Sequence, residues 1–263
     1  MKVNYHTHTR RCHHAKGDVR DYVEEAIRQG FDILGMSDHG PYPDHEFGWH
    51  MSYSEVEDYV AEINELKKEK SGQIKLYAGL EIEYLPRYRN HYEKLLTQKG
   101  IEYLILGQHI FHYDDDAILC NSFGLESTED CVQYAKMIAE ALDTGLYSAL
   151  AHPDLCMMGR NAWDANCDKA LDIIIDAAVK HDMVLEVNAN GFRRGLVEYP
   201  DGVRYPYPHK KFWQEIKKAN IKAVVGSDCH EPELLWDESV EMAYKMLMKL
   251  GITPQDYLKN MQQ

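Results

Sequence analysis

The sequence predicts an α/β protein, a seven-stranded β/α barrel of the TIM-like kind. Three observations carry that expectation. Seven short apolar runs alternate with longer amphipathic segments along 263 residues. Such alternation is the pattern of parallel strands joined by crossover helices. The length suits a single barrel, and no repeat, low-complexity block or linker divides it, so residues 1–263 read as one domain.

The elements follow in order. Val3–His6 is the first run. Asp18–Gln29 carries Val19, Tyr22, Val23, Ala26 and Ile27 on one helical stripe, and Gly30 suits the position just past its end. Asp32–His39 is the second run. Ser54 with Glu57 reads as a capping box opening a helix over Glu55–Lys70. Lys75–Tyr84 and Tyr103–His109 are the third and fourth runs, and Ser127–Gly145 is helical in period. Tyr147–Pro153 is the fifth run, Asp168–Asp182 a helix, and Met183–Ala189 the sixth run. His209–Asn220 is helical, Lys222–His230 is the seventh run, and Glu233–Gly251 is helical again. Thr253 as N-cap with Pro254 behind it predicts a last helix to Met261.

Composition bounds the function. Against 43 Asp+Glu there are 29 Lys+Arg, a formal charge of −14. Such a surface repels nucleic acid and anionic membranes, and no basic run offers an exception. It suits a cationic substrate, or simply solubility. None of the six cysteines forms a CxxC pair, and no signal-like or membrane-length apolar stretch occurs. Reduced thiols in a cytoplasm are therefore expected. The sequence is silent on oligomeric state.

Loop-facing chemistry collects at the ends of the apolar runs, where α/β folds place their sites. The first run ends His6-Thr-His8, the second Asp38-His39, and the third near Glu81 and Glu83. The fourth ends at His109, the fifth at His152, the sixth in Glu186, Asn188 and Asn190, and the seventh at Asp228-Cys229-His230. A lone His-x-His could be a solvated terminus. In an extended strand, however, a spacing of two puts both imidazoles on one face, within reach of one ion. Donors at nearly every strand end predict a metal cluster, with imidazole and carboxylate donors suiting zinc, manganese or iron. Cys12 and Cys229 lie beside these residues.

"HTH", "SDHG", "GLEIEY", "GQH", "AHPD" and "GSDCH", in that order, resemble the polymerase-and-histidinol-phosphatase (PHP) family, over Val3 to His230. "CHHAKGDVRDYVEEAIRQGFDILGMSDHGPYP" resembles its histidinol-phosphate phosphatase branch. The resemblance implies a distorted seven-stranded barrel with three divalent cations. By position, it gives His6, His8, Glu81 and Asp228 to one cation. Glu81 would bridge to a second, with His109 and His152. His39 and His230 would bind a third, completed by His14, with His13 or Asp18 as alternatives. Asp38 would orient a histidine from behind.

Packed cations suit hydrolysis of a small phosphate monoester: hydroxide formed beside them attacks phosphorus in line, and they offset the charge on its oxygens. Asp228 or a water would supply the leaving group's proton. Phosphate recruits arginine, and Arg160, Arg193 and Arg194 follow the fifth and sixth runs. His45, His50, His112, Glu83, Asn188 and Asn190 are candidate substrate contacts, whereas His91, His181 and His209 read as structural. L-histidinol phosphate is the expected substrate. Its amine would meet Glu83 or Asp154, and its ring Phe111, Trp49 or Tyr84. A small nucleotide or nucleoside bisphosphate is the competing substrate, and a non-catalytic metal-binding protein the competing class.

Overall fold

The structure is a computed structural model that describes residues 1–112, 119–159 and 161–261. Its strands are β1 (Val3–Asn4), β2 (Ile33–Met36), β3 (Lys75–Ile82), β4 (Tyr103–Leu106), β5 (Ile110–His112), β6 (Leu119–Asn121), β7 (Ala149–Leu150), β8 (Leu185–Asn188), β9 (Val197–Tyr199), β10 (Gly202–Arg204) and β11 (Ala223–Gly226). The α-helices are α1 (Val19–Arg28), α2 (Val56–Glu69), α3 (Arg89–Gln98), α4 (Thr128–Asp143), α5 (Ala165–Lys180), α6 (Asn190–Arg193), α7 (Lys210–Lys218) and α8 (Glu238–Leu250).

Seven strands form one sheet in the order β1-β2-β3-β4-β7-β8-β11, one from each apolar run. β1–β2, β2–β3 and β7–β8 pair in parallel. The backbone after β11 returns to that after β1. Thr7 bridges Cys229 in parallel, and the Asp228 N–H donates to His6 O at 2.9 Å. β5–β6 and β9–β10 are antiparallel hairpins that the apolar pattern did not announce.

Local chemistry explains most boundaries. Asp18 accepts from the Arg20 and Asp21 N–H groups while Asp21 answers at the Asp18 N–H, a capping box that starts α1. Gly30, with φ +74°, follows its end. The cap ahead of α2 is Ser52 with Glu55, not Ser54 with Glu57. The same spacing occurs twice in this stretch, and a 3-10 turn over Tyr53–Glu55 takes the earlier pair. α3 has no expectation behind it, because its buried residues, His91, Tyr92 and Leu95, make a narrow stripe. The expected helix over Thr253–Met261 does not form. Its amides bond elsewhere instead, Gln255 N–H to Ala223 O and Lys259 N–H to Ser148 O.

The chain divides into two compact units. The first comprises Met1–Ile82, Pro86–Ile105 and Gly226–Glu241, and so holds β1 to β3, most of β4 and α1 to α3. Its interior is built around Tyr103, whose hydroxyl donates to Tyr5 O and Met36 O. The second comprises Glu83–Leu85, Leu106–Val225 and Met242–Gln263, with both hairpins and α4 to α7. Its core includes Phe212, Trp213, Tyr134 and Ile174.

Candidate functional site

In the first unit β1 runs out into His6, Thr7 and His8, and β3 delivers Glu81. His6 Nε2 lies 3.2 Å and His8 Nε2 3.4 Å from Glu81 Oε2. The same nitrogens are 3.6 and 3.1 Å from Asp228 Oδ1. His39 Nδ1 is 3.2 Å from that Glu81 oxygen too. All five side chains are buried. Three imidazole nitrogens thus face one carboxylate oxygen, more than its lone pairs accept as good hydrogen bonds. Burial lowers the pKa of His8 against the pull of Asp228 and Glu81, which keeps its ring neutral with a lone pair to give. A divalent cation bonds nitrogen and oxygen lone pairs together, so the donor set fits one.

Asp228 stands in the left-handed backbone region at φ +47°. Burial pushes its carboxyl up, but His6, His8 and His230 outweigh that and hold it well below the usual range. His230 lies beside it, Nδ1 to Oδ1 3.8 Å, and faces His14, Nε2 to Nε2 3.0 Å. His8 stacks on both His39 and His230, with ring centroids 4.3 and 4.4 Å apart. Burial pulls the His230 pKa down to about 3. Of the three possible completing ligands, His14 is the one that approaches His230. His13 caps a 3-10 turn at φ +66°, and Asp18 caps α1. Cys12 Sγ sits 3.9 Å from His14 Nε2, a buried thiol pushed up to about 12.

Asp38 orients a threonine rather than a histidine. It accepts from Thr9 N–H at 2.8 Å and from the Thr9 hydroxyl, fixing the backbone just past His8. Burial raises its carboxyl to about 7. His50 is buried and stacks 5.7 Å from His39, whereas His45 is exposed against Phe47.

In the second unit His109 Nδ1 meets Glu83 Oε1 at 2.9 Å, and its Nε2 faces His152 Nε2 at 3.2 Å. Two ring nitrogens this close converge on a shared point, and the carboxylate behind His109 fixes its tautomer, the arrangement that metal-binding imidazoles use. His152 is held at φ +27°. Its N–H donates to Glu186 Oε2 at 3.1 Å, and its carbonyl accepts from Tyr134 at 3.3 Å. Glu186 also accepts from Asn188 Nδ2 at 2.8 Å, and Asn188 Oδ1 accepts from the Asn190 N–H at 2.9 Å. This chain starts α6, which ends at Arg193. Arg194 follows, its guanidinium 5.5 Å over Phe123 and its Nε donating to Tyr207 at 3.2 Å. Phe123 lies flat on His109, centroids 5.5 Å apart.

Other expected contacts are occupied differently. Glu83 is committed to His109. Asp154 is committed to the His209 N–H at the start of α7, its carboxyl raised by burial to about 6. Phe111 is fully buried beside Tyr134, and the Tyr84 hydroxyl meets Glu140, while Trp49 is partly exposed. His112 ends β5 with a buried Nδ1 that has no hydrogen-bond partner among the described residues. Arg160 lies outside the described residues. Sequence reasoning gave no role to Glu186, Tyr134 or Phe123. Only Glu186 had a signal, its place at a strand end.

A family profile described as the PHP domain matches residues 4–190. A probable histidinol-phosphatase of Deinococcus radiodurans is 26% identical over 86% of this chain and 85% of its own. A histidinol-phosphatase of Bacillus subtilis is 25% identical over 88% and 94%. Among solved structures, a histidinol phosphate phosphatase from Lactococcus lactis, complexed with zinc, L-histidinol and phosphate, superposes with a TM-score of 0.74. It is 19% identical, and the match covers 98% of this chain and 97% of the other. That likeness shows the fold, the seven-stranded β/α barrel that the strand count predicts.

Proposed function

The chain belongs to the PHP family, and from that premise we propose that it hydrolyses a small phosphate monoester, L-histidinol phosphate, to L-histidinol and phosphate with bound divalent cations. The observation that carries the reading is the convergence of His6, His8 and His39 on one oxygen of Glu81. The relatives named histidinol-phosphatase, and the Lactococcus lactis structure holding zinc, L-histidinol and phosphate, support the substrate. Residues 1–263 act in this reading as one catalytic domain, working in the cytoplasm.

His6, His8, Glu81 and Asp228 are one set of ligands, and His39, His230 and His14 another. His109 and His152 are a ligand pair in the second unit. Three cations, zinc, manganese or iron, match these donors. When bound, they lower the pKa of a coordinated water and neutralise phosphoryl oxygens. Asp228 enters this chemistry ionised, so it holds positive charge and does not supply the leaving group's proton. Glu83 keeps His109 in a single tautomer with Nε2 presented. Arg193 and Arg194 bind the phosphate, because guanidinium matches two of its oxygens at once. Arg194 comes to that task already aligned by Tyr207.

The test is a turnover panel on protein reconstituted with each metal: histidinol phosphate, AMP, a 3′,5′-nucleoside bisphosphate and single-stranded DNA. Histidinol phosphate should lead in kcat/KM by about 100-fold or more. A nucleotide that matches or exceeds it sinks the substrate assignment. Bound metal with no turnover of any phosphoester sinks the enzyme assignment.

A further inference from the structure

Cys12 stands among the donors of the first unit without a part in the chemistry above. It ends the 3-10 turn over Arg10–Cys12, just past His6, Thr7 and His8, and it is fully buried. Its Sγ lies 3.9 Å from His14 Nε2. One donor atom each from Cys12, His14 and His230 falls within 4.8 Å of the other two.

Hydrogen bonding fixes what the two imidazoles present. His14 Nδ1 donates to Cys12 O at 2.7 Å and His230 Nδ1 to Asp228 O at 3.3 Å, since a carbonyl only accepts. A neutral imidazole has a single N–H, so each Nε2 is left with a bare lone pair. These two nitrogens nevertheless face each other at 3.0 Å. Neither can donate to the other. A cation held by both replaces that repulsion with two bonds.

The sulfur has the surroundings of a thiolate. The backbone N–H groups of His14 and Ala15 face Cys12 Sγ. Such donors bond more strongly to an anionic sulfur, and ligating atoms are commonly steadied in this way. The spacing agrees. In a tetrahedral zinc site, bonds of about 2.3 Å to sulfur and about 2.0–2.1 Å to nitrogen set those atoms about 3.5 Å apart. The 3.9 Å found here needs only a small movement of either side chain.

We propose that Cys12 is a ligand of the cation that His14 and His230 share, and that its sulfur makes this position select zinc over manganese. The assignment rests on the reading of this cluster as a metal centre, and adds to it a donor and a selectivity. As the sulfur–metal bond forms, the S–H bond breaks and its proton passes to solvent water. Soft thiolate favours zinc, whereas manganese keeps to carboxylate, carbonyl and water oxygens. His14 is exposed, so a cation reaches the position from solvent on that side.

The experiment loads chelated, full-length protein with cobalt(II), whose spectrum reports its ligands. Wild type should show visible ligand-field bands and a near-ultraviolet sulfur-to-cobalt charge-transfer band. Cys12→Ser and, separately, Cys12→Ala should keep ligand-field bands from the remaining sites and lose the charge-transfer band. By calorimetry, the preference of one site for zinc over manganese should fall at least about tenfold in Cys12→Ser. X-ray absorption at the zinc edge of the wild type needs no variant, and should find a sulfur neighbour at about 2.3 Å. Cobalt taken up by the wild type without a charge-transfer band overturns the assignment. So does a band that persists unchanged in both variants. Failure of the parent reading looks different: protein that takes up no cobalt shows neither kind of band, and the assignment falls with it.

Discussion

Glu83 and His209 show how single residues here act through what surrounds them. The 2.9 Å contact of Glu83 with His109 Nδ1 decides which ring nitrogen is presented. Glu83→Gln removes the charge and keeps the shape. Metal affinity or turnover should drop about 10- to 100-fold with the melting temperature nearly unchanged; titration of the apo-protein with zinc, beside kcat, checks it. His209 is not among the proposed ligands. It is buried and stacked 4.6 Å from Trp163, and burial, then Arg204, lowers its pKa from 6.5 to about 4. The unfolded chain therefore takes up this proton more readily than the folded one between those pH values. The stability His209 contributes is complete above pH 6.5 and is lost as pH falls toward 4. His209→Phe retains a ring for Trp163 and should remove about 3 kcal/mol of the stability loss over that window, read from urea unfolding at pH 7 and pH 4.

At the scale of elements, glycine placement and backbone partners decide what patterns alone leave open. A Cβ on Gly79 in β3 would lie 2.2 Å from the Tyr103 ring. That close approach lets the Tyr103 hydroxyl reach Tyr5 O at 2.9 Å and Met36 O at 3.0 Å. Gly79→Ala should therefore cost roughly 1–3 kcal/mol as an overpacked core position, seen as a lower denaturation midpoint. The strand ends were legible because donors stood at fixed places on apolar runs. The segment Thr253–Met261 was not. Its cap residues are those of a helix start, yet Gln255 and Lys259 bond to Ala223 and Ser148, partners distant in sequence. The expected cap at Ser54 gives way to Ser52, because the turn over Tyr53–Glu55 takes the earlier pair.

For the whole molecule, the cations should be part of stability. Ligands that bind only the folded chain at a hundred times their Kd add about 2.7 kcal/mol. Exhaustive chelation should thus lower the melting temperature by about 5–10 °C and abolish turnover, with zinc or manganese restoring both. An unchanged melting curve would mean that the histidine cluster holds no metal. Among the described residues no helix is long and apolar enough to cross a membrane. By itself, the sequence determined the class of fold and the inventory of donors, because burial periodicity and the position of a residue at a strand end are local properties of the chain. Only the tertiary structure decided what each donor meets. His6, His8 and His39 share one Glu81 oxygen, Glu83 stands behind His109, and Asp38 holds Thr9. The physical reason is that hydrogen-bond and coordination partners are fixed over a few ångströms by residues tens to hundreds of positions apart, and no local pattern encodes that distance.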